Sequence, residues 1–379
     1  MRFPQLQAIL SIIYTVFQGP QLVPETLSEL QPQPSTTRCT SPTVRKEWRS
    51  LTKMERTDWI TAVKCLHSLP HDSDYEPPRR MHLYMPPLNT SSSYYDDLVY
   101  FHVNNDNYVH LTGLFFPWHR WLLHNVELAL KAKCNYDGPT PYWDWVQDSL
   151  DFHGSTMFQD PDPQSGLGGW GASAADDYTI TDGAFSANAS FIMAYPVLHS
   201  IRRHFDLYPY LKSLQPELIP NPSMPGNMSI TPSLIRGIIG GHVGDFKGFQ
   251  AAFEGFQGPH SAVHLMVGGD LAGTCPPNAP EECKDGSKWA PNDPLFWMHH
   301  AMIDKVWSEW QSKHEANFMS FEGGSVQRFE NITIHERYPN GGPPFLHLDS
   351  ALSGHGLFPD GRIADVMNTT GGYLCYVYE

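Results

Sequence analysis

After Pro117 the chain places His119, Leu122, Val126 and Leu130 at intervals of three and four residues, so one histidine and three aliphatic side chains share a helical face. A face of that kind turns inward, and an inward imidazole needs partners for its nitrogens. The same demand recurs elsewhere in the chain. His260 and His264, four apart after Gly258, fall on one face of a helix. His300 follows the apolar run Leu295-Phe296-Trp297-Met298. Histidines carried on separate elements in this way could converge, although a helix histidine is more often a surface or satisfied core residue than a ligand.

Local signals place the elements. Thr52 and Glu55 have capping-box spacing and Ile60, Val63 and Leu66 follow at helical intervals, which predicts a helix to about His67. A second helix is expected from Tyr94 to the cluster Asn104-Asn105-Asp106-Asn107, which reads as a breaker. His102 then lies near the end of that helix and His110 beyond it. Pro117 suits the first turn of a third helix ending near Cys134. Further helices are expected after Gly258 and from Asp293, the latter with Asp293 as N-cap, Pro294 at the first helical position and an end near His314. The Gly-, Pro- and Asp-rich stretches 151–185, 219–230 and 270–292 read as long connections without regular structure. There is no repeat of fixed period, and a mainly α, single-domain fold is the simplest reading.

The first 17 residues carry Arg2 and then a mostly apolar run from Ala8 to Phe17, too short to span a bilayer. Residues 1–19 therefore read as a signal peptide, with a buried N-terminal helix as the alternative. Residues 20–38, with four prolines and no apolar period, read as a flexible leader, which leaves 39–379 as the folded domain. Five glycosylation sequons, at Asn89, Asn188, Asn227, Asn331 and Asn368, and an even count of six cysteines agree with a secreted protein. No C-x-x-C spacing occurs, which favours disulfides over metal thiolates, and Cys275 with Cys283 is the simplest local pair. Forty acidic against 25 basic residues give a net charge of −15, which disfavours nucleic acid and anionic membranes as partners. No later segment is apolar enough for a membrane helix.

Two sets of histidines stand out among the 19 in the chain: His102, His110 and His119 in the first half, and His260, His264 and His300 in the second. Neutral imidazole ligates both zinc and copper. A zinc hydrolase of the H-E-x-x-H type needs Glu after its first histidine, and Ser261 stands there instead. Two all-histidine sets suit copper better. Asp304, one turn after His300, is a candidate acceptor for a histidine nitrogen and equally a candidate partner for Arg120. His299 lies ~100° around the helix from His300 and reads as packing or a polar pocket edge. His124, His199, His204, His242, His314, His335, His347 and His355 read as surface or loop residues, and Trp118, Trp121, Trp297 and Trp307 as core.

The run Phe116-Pro117-Trp118-His119-Arg120-Trp121, with His110 nine residues before His119, resembles the first copper motif of type-3 copper proteins, specifically the short secreted fungal tyrosinases and catechol oxidases. Asp293-Pro294-x-Phe296-Trp297-x-x-His300-x-x-x-Asp304 resembles their second motif, in which the later histidine of the His299-His300 pair is the ligand. Pro141-Tyr142-Trp143-Asp144-Trp145, Gly258-Pro259-His260, Gly268-Gly269-Asp270 and the terminal Tyr376-Val377-Tyr378 extend the likeness over about 39–379. The resemblance implies a four-helix bundle around a binuclear site, with one copper ion on each histidine set. It implies an oxidase that uses O2 to convert o-diphenols to o-quinones, with monophenols, tyrosine or tyrosyl groups of a peptide or metabolite as further candidate substrates. A haemocyanin-like oxygen carrier uses the same ligands and is the rival reading. The oligomeric state is open.

Departures from the family pattern matter as much. Tyr108 stands where several relatives carry a cysteine that forms a thioether to a copper ligand, so no such crosslink is expected. Ser261 stands where good monophenol hydroxylases often have Asn after the first ligand of the second copper. Glu254 resembles the carboxylate that holds an active-site water, with Gln257 as the competing candidate. A secretory chain of this composition should show no reactive thiol when denatured without reductant and six after reduction, and six before reduction would overturn the compartment assigned here.

Overall fold

The computed structural model describes residues 39–78, 85–212 and 216–379. The expected signal peptide and leader lie outside the described residues. Seven helices of nine residues or more carry the architecture among the described residues: α1 Lys53–Ser68, α2 Tyr94–Val109, α3 Phe115–Cys134, α4 Pro232–Gly241, α5 Phe246–Glu254, α6 Pro259–Val267 and α7 Leu295–Lys313. Strands are two to four residues long and form only two-stranded pairs. The fold is mainly α, with the histidine-bearing helices α2, α3, α6 and α7 inside and long connections around them.

Caps explain most boundaries. Thr52 and Glu55 form the expected capping box at α1. Ser93 and Asp96 form another at α2. Pro259 follows the Gly258 N-cap in the first turn of α6. At α7 the helix starts one residue later than expected, at Leu295, and this corrects the cap: Pro294 is the N-cap residue and makes no side-chain cap bond, while Asp293 stands just before it with its Oδ1 accepting from the Leu295 amide at 3.0 Å. The expected break at Asn104–Asn107 does not occur, and α2 continues to Val109. Asn105 donates to the Phe101 carbonyl at 2.8 Å, one turn back within the helix, and Asn104 is wholly buried, so packing carries the helix through the cluster. Helices α4 and α5, capped by Thr231 and Asp245, are additions to the expected set. The stretches 151–185, 219–230 and 270–292 carry only 3-10 turns.

One aromatic-rich core runs through the domain, and Trp118, Trp121, Trp297 and Trp307 belong to it as expected. The two ends of the described chain close on each other. Thr43–Arg45 pairs in parallel with Tyr376–Tyr378, and a disulfide joins Cys39 to Cys375 beside that pair. Two further disulfides join Cys65 to Cys134 and Cys275 to Cys283, the second being the expected local pair, and no free cysteine remains. Asn89, Asn188 and Asn331 are exposed, while Asn227 and Asn368 are half-buried.

Beneath the paired ends lies a buried ionic cluster centred on Asp304 of α7. Its Oδ1 accepts from Arg120 Nε of α3. Its Oδ2 accepts from the hydroxyls of Tyr376 and Tyr378 at 2.6 and 2.5 Å and from Arg45 Nη1 at 3.4 Å. Arg45 also meets Glu127 of α3 at 2.9 Å. Asp304 thus partners Arg120, as one reading of the sequence expects, and takes no histidine nitrogen, which corrects the other; two guanidinium groups and two tyrosine hydroxyls occupy its oxygens instead. Its carboxyl titrates below the usual range because the two guanidiniums and two hydroxyls outweigh its burial. Removing one member of such a cluster leaves buried charge uncompensated. Asp304→Ala should lower stability by about 3–5 kcal/mol, read from the urea midpoint at constant slope; a loss under ~1 kcal/mol would show the cluster to be incidental.

Candidate metal centre

Four helices bring the histidines together. His102 lies within α2, and His110 ends that helix as its C-cap residue. His119 sits in the second turn of α3, His260 and His264 on α6, and His300 on α7. The ligand atoms of His102, His110 and His119 lie within 4.8 Å of one another, as do those of His260, His264, His299 and His300. All seven side chains are buried. The two groups touch: the His119 and His300 rings stack with centroids 4.1 Å apart, and His110 stacks on His260 at 5.7 Å.

The hydrogen bonds give each ring a direction. Nδ1 donates to a backbone carbonyl in four of them: His102 to Lys288 at 3.0 Å, His110 to Asp106 at 3.2 Å, His119 to Phe115 at 2.7 Å and His264 to Leu271 at 2.6 Å. With Nδ1 carrying the proton, Nε2 is left as a bare lone pair. That atom has no partner in any of the four, although it is buried. His260, His299 and His300 have no hydrogen-bond partner at either nitrogen and are held by packing. Phe115 lies 4.7 Å from His260, and Phe296 lies 4.1 Å from His300. Buried nitrogens without partners are costly unless something is bound there. The donor set, all neutral imidazole, suits copper or zinc.

Electrostatics keep most of these rings neutral. Burial, followed by the neighbouring imidazoles, depresses His119, His260 and His300 well below the ordinary histidine value. Burial likewise pulls His102 down to about 3 and His264 to about 4. His110 is the exception. Burial opposes its protonation, but the Asp106 carboxylate, 3.0 Å from Nδ1, outweighs that and raises it. Asp106 also accepts from Ser287 Oγ at 2.7 Å. A carboxylate on the far side of a ligating imidazole fixes its orientation and raises its basicity. The sequence reading took Asp106 for part of a helix breaker; its spacing of four from His110 was the signal that could have revealed it.

A cavity of about 600 Å3 opens over the centre, lined by His110, Glu254, His260, Ser261 and His264 among others. Glu254, at the end of α5, is buried and accepts from the Leu111 amide at 2.6 Å and from Gln250 Nε2 at 2.7 Å. Burial pushes its carboxyl up to about 8. Gln257 faces elsewhere, bonded through both amide atoms to the Asn221 backbone. Ser261 lines the cavity, with its hydroxyl 3.4 Å from the Glu254 carbonyl. His299 joins the second group, with its ring parallel to His260 at 5.7 Å. Most of the histidines assigned to surface or loop roles have partners: His199 bonds Asp270 at 2.9 Å, His204 stacks on Tyr178 at 3.8 Å, His124 lies 5.0 Å from the Tyr373 ring, His335 lies 5.6 Å from the Phe256 ring, and His314 accepts from the Ala316 amide at 3.1 Å. All cysteines are in disulfides, so no thioether forms near Tyr108.

Comparison with known proteins agrees with this geometry. The model of the common central domain of tyrosinase matches residues 92–313. The chain is 30% identical over 349 residues to the tyrosinase-like protein phomQ1 of Diaporthe leptostromiformis, covering 90% of this chain and 79% of that protein. It is 27% identical to tyrosinase P of Aspergillus terreus, covering 90% and 93%. It is 29% identical to the N-acetyl-6-hydroxytryptophan oxidase ivoB of Emericella nidulans, covering 89% and 92%. Its fold resembles that of a mutant polyphenol oxidase from Thermothelomyces thermophila, with a TM-score of 0.64 at 23% identity over 90% of each chain. The central-domain match spans more than half of the sequence and encloses all seven clustered histidines, so the chain belongs to the tyrosinase family of copper oxidoreductases.

Proposed function

We propose that the chain oxidises o-diphenols to o-quinones with O2 at two copper ions, one held by His102, His110 and His119 and the other by His260, His264 and His300. The observation that carries this reading is the two adjoining groups of buried imidazoles whose Nε2 atoms have no protein partner. His300 is preferred over His299 because its ring stacks on His119 of the first group, whereas His299 contacts only rings of the second group and Trp145. Bound copper supplies the oxygen binding and two-electron exchange that no side chain can. The protein keeps all of these imidazoles but His110 biased to the neutral form, fixes four of them through Nδ1 and packs Phe115 and Phe296 against the rings. One relative is named for oxidising a hydroxylated indole, which supports hydroxyl-bearing aromatic rings as the substrate class. Three disulfides and five sequons support passage through the secretory pathway.

Glu254 and Ser261 line the cavity together with His260 and are the proposed holders of a water that takes the proton of a monophenol. Phenol has a pKa of ~10, so hydroxylation needs such help at neutral pH, whereas a diphenol already offers both oxygens. Both Glu254 oxygens accept one hydrogen bond and retain capacity for another. The Ser261 hydroxyl is shorter than an Asn amide and points back to the Glu254 carbonyl. Diphenols should therefore turn over faster than matching monophenols.

Two measurements test the proposal. Metal analysis of the purified protein should give two coppers per chain, falling on His300→Ala with loss of diphenol-dependent oxygen uptake. Full loading and unchanged uptake in that variant would refute the ligand assignment, and a single reversible oxygen equivalent without turnover would make the protein a carrier. Initial rates on tyramine and dopamine test the water-holding pair. Ser261→Asn should raise the monophenol-to-diphenol ratio about fivefold, the worth of one hydrogen bond, and Glu254→Ala should lower it. Equal native rates on both substrates, with no response to either substitution, would refute it.

A further inference from the structure

The cavity over the histidines, at about 600 Å3, falls in the ~300–1,000 Å3 range of sites that enclose drug-sized ligands. One diphenol ring occupies a small part of that space. The histidines, Glu254 and Ser261 form one part of its lining, and Asp177, Tyr178, His204 and Asp206 form another. That second part is built as a rigid wall. The Tyr178 and His204 rings lie nearly parallel, with centroids 3.8 Å apart and planes 13° from parallel. The Tyr178 amide donates to the Ser173 carbonyl at 2.8 Å, and its carbonyl accepts from the Arg203 amide at 3.0 Å. The His204 amide donates to the carbonyl of Val267, the last residue of α6, at 3.0 Å. The aromatic pair is thus anchored to the helix that carries His260 and His264.

Two observations point to a ligand for this wall. Asp177 and Tyr178 both adopt left-handed backbone, with φ of 54° and 53°. Aspartate tolerates that region, but a bulky tyrosine seldom occupies it, and such conformations persist where the surrounding structure imposes them, often at ligand clamps. Tyr178 is also only half-buried, so the strain is not repaid by core packing. The charges select among ligands. Arg202, the guanidinium of the lining, is committed to Asp270 at 2.7 Å and to Asp177 at 3.0 Å. An anionic group gains nothing there.

We propose that Tyr178, backed by His204, is a distal stacking subsite that receives a second, uncharged or cationic flat ring of an elongated phenolic substrate. The inference rests on the reading of the histidine centre as a phenol oxidase. The His204 ring holds the Tyr178 ring in place before substrate arrives, which limits the entropy lost on stacking. Offset stacking of a second ring then adds to the burial of its apolar surface.

The test uses the copper-loaded enzyme and catechols carrying a terminal phenyl on linkers of one to four methylene groups, with 4-butylcatechol as the single-ring control. At one linker length the phenyl compound should exceed the control about tenfold in kcat/KM, through KM. A carboxylate on that phenyl should abolish the gain. Tyr178→Gly, which removes the ring and suits the left-handed backbone, should bring the ratio of the two substrates close to one, and Tyr178→Phe should keep it. No advantage at any linker length, or an advantage unchanged in Tyr178→Gly, would overturn the subsite. Failure to oxidise 4-butylcatechol at all would instead overturn the reading of the centre itself.

Discussion

The position of the metal centre depends on a carboxylate that never touches it. Asp304 lies one turn beyond His300 on α7, and Arg120 is the residue after His119 on α3, so the ion pair between them sets the distance between the helices that carry His119 and His300. The stacking of His119 on His300 at 4.1 Å is a consequence of that distance. Arg120 is further fixed by the Gln311 side chain at 2.9 Å and the Val366 carbonyl at 3.0 Å, and it lies over the Trp307 ring. Arg45 and the two terminal tyrosines complete the cluster from opposite ends of the described chain. The chain ends, the central helices and the spacing of the histidines are therefore one mechanical unit.

A second constraint is the cost of placing so many imidazoles where water cannot reach them. A neutral ring with one nitrogen satisfied costs far less to bury than a charged one. Backbone carbonyls provide that satisfaction at His102, His119 and His264, and the carbonyl for His264 comes from Leu271, just past Gly268-Gly269-Asp270. Asp270 is itself held by Arg202 and by His199. Arg202, Asp270 and Leu271 thus form a chain of positions that ends at a copper ligand proposed here. His110 differs because its second partner is a carboxylate, so the two groups present rings of unequal basicity.

Part of the histidine grouping was legible in the sequence because helical spacing is visible without a structure. His260 with His264 and the face shared by His119, Leu122, Val126 and Leu130 are of this kind, whereas joining His102 and His110 to His119 rested on the family resemblance and the place of His299 beside His260 and His264 depended on packing. Helix starts at Thr52 and Gly258 were likewise legible, since a cap is a local event, and the start of α7 was legible to within one residue. What escaped depended on distant partners. Asn104 and Asn105 read as breakers because their burial against other elements cannot be seen in a window of neighbours. Helix α4 ends in Gly240 and Gly241, and α5 contains Gly248, residues that weaken a helical signal while packing sustains the helix. Of the three disulfides only Cys275–Cys283 spans few residues; the other two close 336- and 69-residue separations.

The cavity is asymmetric about the centre, and the asymmetry follows from helix geometry. His110, His260 and His264 line it, as do the residues directly after them, Leu111, Ser261 and Leu265. On α6 successive residues are ~100° apart, so a histidine turned towards the other imidazoles leaves its successor free to face another part of the cavity lining. Leu111 reaches the lining by another route. The helix ends at His110, whose extended backbone is followed by a left-handed Leu111 with φ of 53°, and this turn aims the Leu111 amide at Glu254. The carboxylate is therefore placed by the end of α2 as much as by α5. A cavity lining that includes residues next to the histidines separates two requirements: the histidines meet the demands of the metal, while their neighbours can differ and so set what reaches it.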